Sequence, residues 1–206
     1  MPIRIQKIFA ALAALIGWVS LGLQLILVLD HRVVPAAMAV LRFFTYFTIL
    51  TNLLAASMFT ALALPRTRKS SWLSMPATIT AVTAYMTVVA IVYNTVLRGL
   101  VELHGLNSVL NELHHVFLPL ATLLFWLVFV PKKGLRWRSA FGWLIYPFAY
   151  IVWVILFGAW TGFYPYPFTN AAVLGYPRAL ANGLIILAGF LGVFYILIAA
   201  GRIKNK

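Results

Sequence analysis

Six long apolar stretches, each about as long as a membrane-spanning helix, constrain the fold of this chain more than any other feature. A helix needs about 20 apolar residues to cross a hydrocarbon core of about 30 Å. The stretches lie at about 8–29, 43–64, 75–97, 109–130, 140–160 and 180–200. They lack the alternation of apolar and polar residues that is typical of outer-membrane strands. The sequence therefore predicts an all-α integral membrane protein, with six transmembrane helices in one bundle and a single domain over residues 1–206.

The composition limits the class of protein in the same direction. Apolar residues make up 64% of the chain and charged residues 9%, against about 45–50% and about 25% in soluble globular proteins. A soluble domain of 206 residues has too much surface to hide that many apolar side chains. An aromatic content of 15% also excludes disorder. Because the chain has no Cys, disulfides, thiolate metal sites and cysteine nucleophiles are excluded.

The basic residues predict the orientation of the bundle, because cytoplasmic loops carry an excess of Lys and Arg. Twelve of the sixteen fall on one side of the predicted spans: Arg4, Lys7, Arg66, Arg68, Lys69, Lys132, Lys133, Arg136, Arg138, Arg202, Lys204 and Lys206. The other side has Arg32, Arg42, Arg98 and Arg178. This asymmetry predicts cytoplasmic N- and C-termini in a multi-pass protein of the cell membrane. The short basic clusters beside apolar runs favour membrane lipids, and not nucleic acid, as partners.

The second apolar stretch has a polar face. Thr45, Thr48 and Asn52 are spaced at i, i+3 and i+7, so a continuous helix would carry all three on one side. Polar side chains in hydrocarbon are costly, and this face should therefore point into the bundle. A polar stripe of this kind is a candidate site, although helix packing alone also explains it.

The fourth stretch begins with two amides, a carboxylate and two imidazoles before it becomes apolar. Asn111 and Glu112 precede His115 by four and three residues, so either side chain could orient its imidazole. Histidine is the usual general base near neutral pH. His114 points about 100° away from His115, so the two cannot serve one site equally. Pro119 should kink this helix.

A depth argument connects these two stretches. Thr48 lies six residues after Arg42, or about 9 Å along a helix, and His115 lies eight residues after Asn107, or about 12 Å. Both distances start from the outer face, so a hydroxyl and an imidazole can meet at similar depth. Hydroxyl, base and an orienting group form the minimum set for nucleophilic acyl transfer. The same residues could also line a polar cavity without chemistry.

Three segments resemble the androgen-induced protein family and its bacterial six-span relatives. Residues 43–54, with Tyr46-Phe-Thr48 and Asn52, are similar to the second-span motif of that family. Residues 111–119 resemble its Asn…His…Pro element on the fourth span, and residues 158–168 resemble its Thr-Gly…Tyr-Pro-Phe segment between the last two spans. The three elements stand in matching order and cover nearly the whole chain.

The resemblance implies an intramembrane hydrolase that cleaves fatty-acid esters, since animal members of the family are threonine hydrolases of such lipids. It implies that Thr48 is the nucleophile and His115 the base. His114 remains an alternative, because the spacing from His to Pro is one residue longer in the animal pattern. Asn52, Asn94 and Tyr93 are candidate donors to the oxyanion, and the residues expected to contact the lipid ester substrate are Asn52, Tyr93, Asn94, Asn111 and Tyr166.

Other classes of protein fit less well. Haem, di-iron and zinc-protease sites need His or carboxylate sets that the sequence lacks, so we expect no cofactor and no metal. The alternative is a non-enzymatic lipid-binding or small-molecule transport protein, in which Thr48, Asn52 and His115 line a polar cavity. Proton coupling is disfavoured, because five of the six predicted spans contain no acid.

Overall fold

The chain folds into helices throughout the part that the computed structural model describes, residues 3–65 and 72–203, which contains no strand. The coarse fold prediction, an all-α chain with several membrane-length helices, is therefore confirmed. The α-helices are α1 (Ile3–Asp30), α2 (Ala36–Phe43), α3 (Phe47–Ala63), α4 (Pro76–Val92), α5 (Leu106–Glu112), α6 (Leu118–Phe129), α7 (Ser139–Trp143), α8 (Ile145–Thr161), α9 (Ala171–Leu174) and α10 (Tyr176–Ile203).

Five helical segments of the described residues are long and apolar enough to cross a membrane, and a bent pair, α2 with α3, makes a sixth if it counts as one span. The five are Ile3–Asp30, Pro76–Leu97, Leu106–Phe129, Ser139–Thr161 and Tyr176–Arg202. They lie within a few residues of the predicted stretches, apart from the earlier start at Ile3. Five of the basic residues that were assigned to the cytoplasmic side lie outside the described residues: Arg66, Arg68, Lys69, Lys204 and Lys206.

The predicted continuous helix over 43–64 is wrong at its start. Between α2 and α3 the chain bends by 72°, and the N–H of Thr45 and of Tyr46 donate to carbonyls only three residues back, at 3.0 and 3.3 Å. The Thr45 hydroxyl donates to the carbonyl of Leu41 at 2.8 Å. The run of aromatic and β-branched residues here favours the helix weakly. Thr45 therefore does not continue the polar face of α3.

Helix α4 lies at the centre of the bundle and contacts α3, α6 and α10, whereas α1 packs along α3. Trp126 of α6 donates from its indole nitrogen to the Thr80 hydroxyl of α4 at 2.9 Å, which joins these two helices in the core. A Cβ at Gly17 of α1 would lie 3.0 Å from the Cβ of Ala56 on α3. Small residues allow this close backbone approach, as they do in other membrane bundles.

The outer faces of α8 and α10 are apolar. Large side chains such as Leu156, Trp160, Leu184 and Ile185 are each more than 60% exposed. In water such a surface would be a liability, but against acyl chains it costs nothing. The apolar faces are consistent with a bundle surrounded by lipid.

Two helices contain a wider, π-helical turn, at Tyr93–Leu97 after α4 and at Leu113–Phe117 between α5 and α6. Pro119 has no N–H, so it cannot donate to the carbonyl of His115 four residues earlier. The N–H of the preceding residue, Leu118, donates to the carbonyl of Leu113, which lies five residues earlier. The predicted irregularity at Pro119 thus takes the form of a π turn, and the two histidines lie within it.

Candidate active site

The structure brings the side chains of Thr48 and His115 together. Thr48 is the second residue of α3 and is 8% exposed, and its Oγ1 lies 3.3 Å from Nε2 of His115 in the π turn. Contacts between a nucleophile and its base are often long in free enzymes and shorten when substrate binds. The geometry therefore has the hydroxyl and imidazole that acyl transfer requires.

The hydrogen bonds of His115 define its tautomer. Nδ1 lies 2.9 Å from the main-chain carbonyl of Asn111, which can only accept, so Nδ1 carries the proton. Nε2 then carries a lone pair and accepts from the Thr48 hydroxyl. Of the two orienting side chains predicted, neither acts directly, since the orienting atom is the carbonyl of Asn111. The Glu112 carboxylate instead forms an ion pair with Arg98, with a nitrogen–oxygen distance of 2.8 Å.

Tyr93 holds the plane of the His115 ring. The two rings stack with centroids 3.9 Å apart and an angle of 22° between their planes. The side-chain amide of Asn111 donates to the Tyr93 hydroxyl. Asn111 thus restrains the imidazole twice, through its carbonyl and through Tyr93. The two π turns, which carry Tyr93 and His115, face each other at this contact.

His114 faces away from Thr48. The Ser20 hydroxyl of α1 donates to the carbonyl of Gly17 at 3.0 Å, so its oxygen is left to accept from Nε2–H of His114 at 3.1 Å. His114 is 2% exposed, and its imidazole joins the π turn to α1. Of the two histidines that the sequence left open, only His115 contacts Thr48.

Asn52 lies one turn after Thr48 on α3 and is fully buried. Its amide nitrogen donates to the carbonyl of Thr48 at 2.9 Å and to the carbonyl of His114 at 3.2 Å. Both protons are therefore committed to main-chain acceptors, while Oδ1 is buried without a hydrogen-bond partner. In this structure Asn52 is no oxyanion donor, and it fastens the backbone at Thr48 to the backbone beside His115.

Asn94 lies outside the site. Its side chain is exposed, donates to the carbonyl of Ala90 at 2.8 Å and accepts from the Arg98 guanidinium at 2.9 Å. The expected contact between Asn94 and substrate therefore has no support in this geometry, although its neighbour Tyr93 lines the cavity.

The connection between α8 and α10 folds inward and brings Tyr166 to Thr48. Gly162 ends α8 in the left-handed conformation (φ 72°), where a side chain would be strained. Gly158 leaves room for the ring of Tyr164, which a Cβ would meet at 2.1 Å. The Tyr166 hydroxyl consequently lies 3.4 Å from both Oγ1 and the main-chain nitrogen of Thr48.

Tyr166 is a neutral donor in these surroundings. Its side chain is 9% exposed, and burial raises the pKa of its phenol above the ordinary value. The hydroxyl of Tyr150 on α8 contacts that of Tyr166 and donates to the carbonyl of Thr45 at 3.0 Å. Sequence reasoning missed Tyr150. A buried tyrosine hydroxyl usually has a hydrogen-bond partner, so a tyrosine within an apolar span could have indicated a polar site.

A narrow cavity of about 50 Å³ opens onto these groups. The lining residues that carry a polar group are Thr48, Tyr93, His115, Tyr150, Tyr166 and Thr169, and most of the remaining wall is apolar and comes from α4, α8 and α10. The site is therefore a slot in an apolar bundle. An extended apolar substrate would have to continue between the helices.

No group of three or more His, Asp or Glu side chains within residues 3–65 and 72–203 is placed to hold a metal ion. Comparison of the chain with known protein families, with curated proteins and with solved structures finds no match.

Proposed function

We propose that the protein is an intramembrane hydrolase that cleaves lipid esters with Thr48 as nucleophile and His115 as base. The observation that carries this proposal is the contact between the Thr48 hydroxyl and the unprotonated Nε2 of His115. The opening of this contact into an apolar cavity supports it. The three segments similar to the androgen-induced protein family point to the same chemistry.

Acylation starts when Nε2 of His115 takes the hydroxyl proton of Thr48. Oγ1 bonds to the ester carbonyl carbon, and the π electron pair of the C=O bond moves to its oxygen. When that pair returns, the bond to the leaving alcohol oxygen breaks, and His115 gives its proton to this oxygen. The acyl group is then an ester of Thr48. The carbonyl of Asn111 holds Nδ1–H throughout and stabilises the imidazolium.

Deacylation repeats these steps with water. His115 takes a proton from water as the water oxygen bonds to the acyl carbon, and the bond from that carbon to Oγ1 breaks. The proton passes to Thr48, and the carboxylic acid leaves. The apolar wall of the cavity suits the acyl part of a fatty-acid ester, because its burial needs no polar partner.

We also propose six spans and cytoplasmic termini in the cell membrane, with α2 and α3 together as the second span. The excess of Lys and Arg on one side supports this orientation. Among the described basic residues on that side, Lys132 donates to the carbonyls of Trp126, Leu127 and Val130 at the end of α6. Its charge is favourable at this helix end.

The experiment that tests the enzyme is labelling of the detergent-purified protein with a fluorophosphonate, followed by mass spectrometry. Labelling joins Oγ1 to phosphorus and expels fluoride, so it requires the activated hydroxyl. We expect one adduct, on Thr48, that is lost in Thr48→Ala and kept in Thr48→Ser. Labelling should be slower by at least about 100-fold in His115→Ala, since a general base contributes about 10²–10⁴-fold.

Two matched variants control for folding. Thr122→Ala removes a buried hydroxyl that donates to the carbonyl of Leu118 at 2.7 Å, and His114→Ala removes the imidazole that contacts Ser20. Both should label at nearly the wild-type rate. A folded wild-type protein that neither labels on Thr48 nor hydrolyses any lipid ester would contradict the proposal and favour lipid binding or transport.

A further inference from the structure

The hydroxyl of Tyr166 touches the proposed nucleophile but takes no part in the proton transfers described above. It lies 3.4 Å from Oγ1 of Thr48 and 3.4 Å from the main-chain nitrogen of the same residue. Hydrogen bonds are usually about 2.5–3.0 Å long between two oxygens and about 2.7–3.2 Å long between a nitrogen and an oxygen. Both contacts are longer than that, so a better acceptor that approaches Oγ1 from the cavity can replace them.

The surrounding hydrogen bonds leave the Tyr166 proton available for such an acceptor. The Thr48 hydroxyl donates to Nε2 of His115, so Oγ1 offers Tyr166 only lone pairs. The neighbouring hydroxyl of Tyr150 donates its own proton to the carbonyl of Thr45. The proton of Tyr166 therefore points to a hydroxyl oxygen, which is a much weaker acceptor than an alkoxide.

The N–H of Thr48 is a second donor at the same place. Helix α3 begins at Phe47, and its first backbone hydrogen bond joins the N–H of Leu50 to the carbonyl of Tyr46 at 3.2 Å. The N–H of Thr48 precedes that bond, and its acceptor among the described residues is the Tyr166 oxygen at 3.4 Å. A negative charge near this end of α3 is also favoured by the helix dipole.

We propose that Tyr166 is a catalytic residue whose hydroxyl, together with the N–H of Thr48, donates to the carbonyl oxygen of the ester during attack. The inference rests on the proposed function and supplies the oxyanion donors that Asn52 and Asn94 do not. As Oγ1 bonds to carbon, the carbonyl π pair moves to oxygen, and this oxygen accepts both hydrogen bonds. The proton of Tyr166 stays on Tyr166. Serine proteases likewise use the N–H of their own nucleophile.

The test is the steady-state hydrolysis of 4-nitrophenyl butyrate by the full-length protein in detergent. Tyr166→Phe removes one oxygen atom, and we expect kcat to fall about 100-fold with KM changed less than about twofold, because loss of one oxyanion donor costs about 10²–10³ in kcat. Tyr164→Phe, the same substitution two positions earlier in the connection, should stay within about twofold of wild type. A fall in kcat of less than tenfold for Tyr166→Phe overturns the inference.

Failure of this inference is distinguishable from failure of the proposed function. If Thr48→Ala is inactive while Tyr166→Phe is as active as wild type, the assignment of Thr48 as nucleophile is supported and the oxyanion role of Tyr166 is contradicted. If Thr48→Ala hydrolyses the ester at the wild-type rate, both the proposed function and the inference about Tyr166 are contradicted.

A second measurement separates oxyanion stabilisation from a structural role, and its first comparison uses the wild-type protein alone. Sulfur accepts hydrogen bonds poorly, so the wild-type protein should prefer the oxygen ester over its thionoester, 4-nitrophenyl thionobutyrate, far more than hydroxide does. In Tyr166→Phe this preference should fall toward the ratio for hydroxide. A wild-type ratio equal to that for hydroxide overturns the inference.

Discussion

The adjacent residues His114 and His115 have opposite hydrogen-bonding roles in this protein. The hydrogen-bond partner of each imidazole determines whether its Nε2 carries a proton. The partner of His115 Nδ1 is a carbonyl, which can only accept, so Nε2 of His115 is unprotonated. The partner of His114 Nε2 is the Ser20 oxygen, whose proton is already donated to Gly17, so Nε2 of His114 is protonated. Only one of two chemically identical side chains is thus available as a base.

Asn52→Ala should lower both activity and stability. The substitution leaves the carbonyls of Thr48 and His114 without the amide donor, and the loss should cost about 1–3 kcal/mol of unfolding free energy. Because Asn52 fastens the two backbones that carry the proposed nucleophile and the proposed base, we expect fluorophosphonate labelling to slow by about tenfold or more. Thermal unfolding and labelling rates check this.

The matched control for Asn52→Ala is Asn107→Ala, which removes an amide at the start of α5. It should change the unfolding free energy by no more than about 0.5 kcal/mol. If Asn52→Ala is labelled at the wild-type rate, the two hydrogen bonds from Asn52 do not align Thr48 with His115.

Several side-chain positions followed from the sequence, and others depend on geometry that no spacing encodes. The contact between Thr48 and His115 was predicted from a depth argument, but the helical rise behind that argument does not apply from Arg42 to Thr48, because the chain bends by 72° between them. The commitment of Asn52 to two carbonyls could not be predicted, because it requires the distance between α3 and the π turn. The opposite roles of the histidines likewise depend on Ser20, which belongs to another helix.

At the scale of elements, the break between α2 and α3 determines how Thr48 is presented. The apolar run at 43–64 predicted one helix, since periodicity does not detect a bend of 72°. The bend makes Thr48 the second residue of a helix, where its N–H precedes the backbone ladder. The π turn before Pro119 was foreseen only as a kink, because the sequence marks the missing donor but not how the backbone compensates.

Gly158→Ala should disturb the inward-folded connection without touching any polar group of the site. The added Cβ would lie 2.1 Å from the Tyr164 ring, so the ring and the chain attached to it must move. We expect turnover of 4-nitrophenyl butyrate to fall about tenfold as Tyr166 shifts from Thr48, since small displacements of positioned groups cost large factors in rate.

Gly142→Ala is the matched control for Gly158→Ala. Nothing lies within 4 Å of a Cβ at Gly142 in α7. Alanine favours a helix over glycine by up to about 1 kcal/mol, so this variant should be at least as stable as wild type and fully active. Equal activity of both variants would mean that the connection tolerates the displacement.

For the whole molecule, composition and apolar length were sufficient to predict helices of membrane length, because the bilayer permits few other backbones. The orientation can be tested directly, since the chain has no Cys. We expect Val33→Cys, at a position that is 93% exposed after α1, to react with an impermeant maleimide added to intact cells. Lys133→Cys, exposed after α6, should react only after permeabilisation.

The reverse pattern of labelling would mean that the bundle has the opposite orientation. Labelling of both positions in intact cells would contradict an odd number of crossings between them. The Cys-free wild-type chain provides the background for both measurements.

Three of the side chains around the cavity come from widely separated parts of the chain: His115 is 67 positions after Thr48, and Tyr166 is 118 positions after Thr48. Phe190 of α10 completes the wall. During synthesis the helices enter the membrane one after another, so Thr48, the proposed nucleophile, is inserted long before the connection that carries Tyr166. The hydrolase activity that we propose would therefore begin only after α10 has entered the membrane, and the onset of fluorophosphonate labelling would report the completion of assembly.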